Sequence, residues 1–332
     1  MRVLSFSILI LISISCNQEK KSKFSLIGTT NELKNETVLY LLNPSTDEIV
    51  DSVQVHDNSF YLTTILPTDP FPAILKNKDN SLYKILWLED NPMTFNDSNQ
   101  DFGNAVITGS DSEIEYSNLY KAADTLPRKE REKLLIDFIK THSDNILGPY
   151  VLAEWYISWK KERTEPLYNL FSEKNKNSLY GKEIYKYIRS NQNPKIGEHY
   201  VDFEIPDQYG RKTKLSEVKG KLILLEFWAS WCAPCRTDNA NLVTYYDAYK
   251  PLGFEIFQVS LDDDKEEWLE AIKQDNLQWN NVSHLNAWKG EAAMIYGINL
   301  LPSNYLIDED GIIISQDLRG QELEQKIKEI LE

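Results

Sequence analysis

The sequence predicts an α/β C-terminal domain, a mixed sheet flanked by helices, behind a small all-β domain (sandwich or barrel) and a helical connector. Three observations predict it. Short β-rich runs separated by turn clusters fill residues 24–111, with no helical stretch among them. Over residues 112–192 the apolar residues recur at helical spacing instead. From residue 195 to 332 strand and helix patterns follow the order βαβα and then ββα, which puts parallel and antiparallel neighbours in one sheet.

A chain of 332 residues is long enough for two domains. Its 51 acidic residues outweigh 36 basic ones, for a formal net charge of -15. That balance argues against a nucleic-acid surface, which needs a basic patch, and against broad binding to anionic lipid. Solubility through self-repulsion is the plain reading. The three cysteines, Cys16, Cys232 and Cys235, are too few to staple a fold, and two of them stand three residues apart. Cysteine therefore serves chemistry here. The four histidines form no metal-ligand spacing, and no metal site is expected.

Residues 1–16 read as an address. Met1-Arg2 precedes an apolar run over residues 3–14 broken only by serines, too short to span a bilayer as a stable helix. Ser15-Cys16 and the polar stretch after it resemble a bacterial lipoprotein cleavage site. That resemblance implies export, with Cys16 lipidated and the mature chain held at a membrane face by acyl chains alone. An ordinary signal peptide with a chance cysteine is the alternative, and it also implies export.

In the β region, residues 24–28, 37–42, 49–55 and 59–63 read as strands, with further candidates at 73–76, 83–88 and 105–108. Asn-Pro and His-Asp-Asn clusters supply the turns. No catalytic constellation occurs there, so an interaction or spacer module is the default. In the connector, residues 131–140 have helical periodicity, Gly148-Pro149 reads as a break, and Trp155 and Trp159 fall on one face of the next helix. We expect that face to be a packing surface.

In the last domain, residues 200–205 and 212–215 read as a hairpin. Residues 222–228 form a near-continuous apolar run, as a strand buried on both faces does. Further strands are expected at 254–260, 304–307 and 311–315, and helices after Cys235 and at 265–274 and 321–331. Asp262-Asp263-Asp264 is expected to be a solvated loop capping the second helix.

Cys232-Ala233-Pro234-Cys235 carries the chemistry. Disulfide exchange needs a thiolate to attack and a second thiol within reach to resolve the mixed disulfide. A spacing of three residues at the start of a helix provides both. Cys232 at the helix N-terminus faces unpaired N–H groups that favour a negative sulfur, so it is the expected nucleophile and Cys235 the resolving thiol. A zinc site lacks two further ligands, and a structural disulfide closing so short a loop would remove little chain entropy.

The run Glu226-Phe227-Trp228-Ala229-Ser230-Trp231-Cys232-Ala233-Pro234-Cys235-Arg236 resembles the thioredoxin superfamily, and within it the exported, membrane-tethered TlpA/ResA-like branch. The resemblance covers roughly the last 135 residues and includes Leu301-Pro302 and the segment Asn304 to Gly311. It implies a thioredoxin-like fold and a thiol–disulfide oxidoreductase with no cofactor beyond its redox-active disulfide. It also gives roles to further positions. Glu226 stands where thioredoxins keep a buried acid beneath the disulfide, and a raised pKa would let it take the Cys235 proton; an acid at a strand edge reaching water is the alternative. Asp238 stands near where ResA-like reductases place a glutamate by the active-site cavity, or else is a first-turn acid complementing the helix dipole. Pro302 matches the cis-proline loop whose preceding residue, Leu301, offers its backbone to a substrate peptide; a trans turn proline is the alternative. Trp231 is an expected rim residue, Trp228 a packing one, and the segment 279–296 with Trp288 an edge of the cavity.

The partners this implies are exported proteins with cysteines or disulfides and an electron donor of unknown identity, with the reductase direction favoured. Two other readings stand beside it. A peroxiredoxin-like thiol peroxidase wants a threonine three residues before the nucleophile, where this chain has Ala229. A binding module would make the β domain the working part and the redox site secondary.

Overall fold

The computed structural model describes residues 24–332, so the expected export signal and Cys16 lie outside the described residues. Among the described residues no helix is long and apolar enough to cross a membrane. The chain divides into two compact units between Arg131 and Glu132.

The first unit is a β-sandwich followed by a helix. Its strands are β1 (Phe24–Thr29), β2 (Val38–Leu42), β3 (Ile49–Gln54), β4 (Ser59–Thr64), β5 (Phe71–Asn77), β6 (Tyr83–Leu88), β7 (Pro92–Asn96) and β8 (Val106–Thr108), and helix α1 is Asp111–Asp124. Two four-stranded sheets form, in the orders β4-β1-β7-β8 and β3-β2-β5-β6. Leu26, Leu62 and Phe95 from one sheet and Leu41, Leu75 and Leu86 from the other share a single buried cluster. Strand β7 is one the sequence pattern did not suggest, because Asp90, Asn91 and Pro92 read as turn chemistry. It is nonetheless an inner strand, with Met93 and Phe95 buried, parallel to β1 and antiparallel to β8. Long-range pairing, not local preference, makes it.

The division falls inside α2 (Arg128–Thr141), after which come α3 (Leu147–Tyr168), α4 (Glu173–Lys176) and α5 (Leu179–Ser190). Gly148 and Pro149, expected to break the chain, sit instead in the first turn of α3, where a missing proline N–H costs nothing. The real interruption of α3 is Lys160, with φ 61° and ψ 168°. Trp155 and Trp159 stack at 5.8 Å between ring centroids, as packing residues. Tyr156 meets Tyr187 of α5 edge-on at 4.9 Å.

The C-terminal part begins with the hairpin β9 (Glu204–Pro206) and β10 (Lys212–Lys214). It is shorter than the pattern suggests because Val201 is held elsewhere. The Tyr296 hydroxyl donates to the Val201 carbonyl at 2.7 Å and accepts its N–H at 3.1 Å. There follow β11 (Leu222–Trp228), α6 (Ala233–Tyr249), β12 (Phe254–Ser260), α7 (Lys265–Gln274), β13 (Asn280–Ser283), α8 (Glu291–Tyr296), β14 (Ser303–Asp308), β15 (Ile313–Gln316) and α9 (Gly320–Leu331). The sheet order is β13-β12-β11-β14-β15, with the first three parallel and the last two antiparallel to their neighbours. This is the thioredoxin-like mixed sheet. Strand β13 and helix α8 were not expected, since each is short and β13 is polar at Asn280 and Asn281.

Every residue of β11 is buried, so the central strand is the backbone of the core. Leu222, Leu224 and Trp228 join the cluster formed with α6 and α9, whereas Ile223, Leu225 and Phe227 join the cluster on the opposite face. Each such side chain contributes about 1.5–3 kcal/mol on burial. Alternation places Glu226 on the face with Leu224 and Trp228, the face that α6 covers. The turn from β14 to β15 closes on Gly311, whose φ of 81° suits a residue without a Cβ.

Candidate active site

Cys232 is the N-cap of α6, and Pro234 lies in the first turn. Its Sγ accepts the Cys235 backbone N–H at 3.3 Å, in the place a capping oxygen takes in other helices. The two cysteines are joined as a disulfide with Cα atoms 5.3 Å apart. Cys232 retains 5% exposure and Cys235 1%, while Trp231 beside them is 53% exposed. The same N–H that holds Sγ here would stabilise a thiolate once the bond is reduced.

The loop carrying the pair is tied to distant residues. Asp262, expected in a solvated loop, is buried at 1% exposure. Its carboxylate accepts the Ser230 N–H at 3.0 Å, the Ser230 hydroxyl at 2.5 Å and the Ser260 hydroxyl at 2.5 Å. Only Asp264 of the three does the expected capping, accepting the Glu267 N–H of α7 at 2.9 Å. Arg236 grips Asp275 beyond the end of α7 through two bonds of 2.5 and 2.8 Å, and Asn239 donates to the same carboxylate at 2.7 Å. Sequence reasoning missed Asp262 and Asp275 as partners because they lie 32 and 39 residues from the groups they hold. An acid run beside a strand end was the only local signal.

Glu226 is buried, at 3% exposure, as the resemblance implied; it does not reach water at a strand edge. Burial pushes its carboxyl up to about 8, against the opposing pull of the cross-strand Asn304 side chain and the Arg319 charge. It lines a cavity of about 10 Å³ together with Asp238, Leu242 and Tyr245 of α6, Asn304 and Arg319. Asp238 is therefore not a first-turn acid; no acid stands in the first turn of α6. Burial raises its pKa as well, and Arg319 lowers it.

The Leu301–Pro302 peptide is cis. The ladder between β11 and β14 ends at Phe227 and Ser303, directly after this peptide, and Leu301 packs against the buried cluster that holds Ala229, Cys232 and Cys235. The Arg319 Nη2 donates to the Pro302 carbonyl, and Arg319 Nε lies 3.7 Å from Asp238. On the outer side Trp231 faces Trp288 at 6.4 Å, which places the expected rim residue and the expected cavity edge together. Leu301 thus packs against the cluster of Cys232 and Cys235, while Glu226 and Asp238 line the cavity on the α6 side of β11.

Comparison with known proteins shows what the chain is similar to. Residues 196–316 match the AhpC/TSA family model, and residues 24–116 match a domain of unknown function, DUF4369. A thiol-disulfide oxidoreductase ResA of Bacillus thuringiensis subsp. konkukian is 30% identical over 145 residues, 44% of this chain and 82% of the relative. The ResA protein of Geobacillus thermodenitrificans is 28% identical over 137 residues, 41% of this chain and 76% of that one. Among solved structures, a thiol-disulfide oxidoreductase from Bacteroides fragilis is 37% identical, covering 40% of this chain and 100% of its own, with a TM-score of 0.39.

Proposed function

This chain belongs to the ResA thiol-disulfide oxidoreductases, and from that membership we propose that it reduces disulfides of exported proteins through Cys232 and Cys235, with Glu226 as the proton acceptor. The observation that carries the reading is the asymmetry of the pair. Cys232 caps α6 beside the exposed Trp231, whereas Cys235 is sealed in the first turn. The Cys232 thiolate attacks one sulfur of a substrate disulfide, the substrate S–S bond breaks, and the leaving sulfur takes a proton from solvent. Cys235 then loses its proton to the Glu226 carboxylate and attacks the Cys232 Sγ. The second substrate sulfur leaves as a thiolate, and the Cys232–Cys235 disulfide holds the two oxidising equivalents. A dithiol donor must reduce it again.

An extended substrate peptide would run past the Leu301–Pro302 loop, a reading supported by Leu301 packing against the cluster that holds Cys232 and Cys235, with the exposed Trp231 as an apolar rim. The leader pattern at residues 1–16 supports export, and Cys16 a lipid anchor at a membrane face. A peroxidase reading is weaker, because Ala229 is fully buried and offers no hydroxyl three residues ahead of Cys232. The decisive experiment is trapping. Cys235→Ser should accumulate mixed disulfides through Cys232 in cells, and their absence from cells holding folded protein would overturn the mechanism. Insulin reduction slower than hydrogen peroxide turnover would instead favour the peroxidase.

A further inference from the structure

One cation stands between the two halves of this site, and nothing in the chemistry above uses it. Arg319 precedes α9, 84 residues after Cys235 in sequence yet in contact with both the loop and the cavity. Its guanidinium donates through Nη2 to the Pro302 carbonyl, next to Leu301, which packs against the cluster of the two cysteines. Its Nε lies 3.7 Å from Asp238, whose side chain is 26% exposed, and it lines the cavity that Glu226 shares. One side chain therefore contacts the Pro302 loop and lines the acid cavity.

We propose that Arg319 is a positioning residue of the exchange reaction, bracing the Pro302 loop against the disulfide and capping the cavity in which Glu226 receives the Cys235 proton. This rests on the reading of Glu226 as proton acceptor. In the resolving step the Cys235 S–H bond breaks, its electron pair forms the bond to Cys232 Sγ, and the proton goes to the Glu226 carboxylate. The cavity has room for about one water, and Asp238 and Arg319 line it together with Glu226.

The groups around Glu226 make the charge of Arg319 consequential. From α6 come Asp238 and the phenol of Tyr245, from β14 the Asn304 amide, and from the loop before α9 Asp317. Glu324 and Lys328 of α9 act on Tyr245. Asp238 and Asp317 both push the Glu226 pKa further up, and among these charges Arg319 is the one that pulls it back. Without that pull both acids keep their protons to higher pH, and less carboxylate is present to accept the one from Cys235.

The test isolates the resolving step in the full chain. Reduced protein is mixed with an aromatic disulfide reagent whose second coloured thiolate appears only on resolution, across a pH series. Glu226→Gln, Arg319→Gln and Arg319→Lys are compared with the wild type. For Arg319→Gln the midpoint of the acid limb should move up on the order of one pH unit, the lower end of what a nearby opposite charge exerts. Arg319→Lys should hold the midpoint but raise the KM for insulin several-fold, since a lysine keeps the charge without the fork. A wild-type acid limb in Glu226→Gln overturns the proton-acceptor reading itself. A limb that Glu226→Gln abolishes and Arg319→Gln leaves in place overturns the role of Arg319 alone. A lowered Tm with unchanged midpoint and KM in both arginine variants makes Arg319 merely structural, and also overturns it.

Discussion

The Asp262 carboxylate receives both the backbone N–H and the hydroxyl of Ser230, at 3.0 and 2.5 Å, and so fastens the loop between β11 and the disulfide to the end of β12. A buried donor left without its acceptor costs about 1–3 kcal/mol. Asp262→Ala orphans the Ser230 N–H and two serine hydroxyls at once. With each of the three groups at the low end of that range, about 3 kcal/mol in all, we expect its Tm to fall by roughly 6–12 °C, at 2–4 °C per kcal/mol for a unit of this size. Calorimetry checks the loss, and insulin reduction should slow with it because Cys232 follows the loosened loop. Asp262→Asn, which keeps one acceptor, should lose less.

Glu226 links proton chemistry to stability, with a definite sign. Burial pushes its pKa in the folded chain up to about 8, above the 4.5 of a free side chain. Between those two pH values the unfolded chain ionises this group while the folded chain does not, so its contribution to stability falls as pH rises through that window. Above about 8 both states are ionised and the loss is complete. Glu226→Gln should therefore melt several degrees above the wild type at pH 9, by roughly 2–4 °C per kcal/mol, with a much smaller difference at pH 4. Thermal melts of both proteins across the window check this, and a constant difference at all pH values would refute it.

Trp231 is exposed beside a nearly buried sulfur, which suits contact with substrate rather than a share in the core. Trp231→Ala should raise the KM for insulin several-fold and leave the Tm within about 1 °C, as surface substitutions away from the core do. A large fall in kcat at unchanged KM would instead place the indole in the chemistry.

Cys16 provides the check on location. Cys16→Ser should no longer take up labelled palmitate and should move from the membrane fraction to the soluble exported fraction, with insulin reduction unchanged. Retention at the membrane would argue against the lipid anchor.

The sequence by itself was enough to read a β region, then helices, then a thioredoxin-like domain, and the pairing of Cys232 with Cys235. Those features are local: the period of apolar residues, one helix turn between Cys232 and Cys235, and a run from residue 222 to 228 that only a buried strand tolerates. Resemblance extended the reading to Glu226 and to Pro302. Several elements escaped it because their cause is not local. β7 and β13 exist by pairing with distant strands, and the Val201 segment is held by a tyrosine 95 residues away. Tertiary structure alone decided that Asp262 is buried and Asp264 is not, that Asp238 shares a cavity with Glu226, and that Arg319 reaches both that cavity and Pro302. The physical reason is common to all of these. A charged side chain looks solvated in sequence, and only its neighbours in space determine whether burial has been compensated by hydrogen bonds or by an opposite charge.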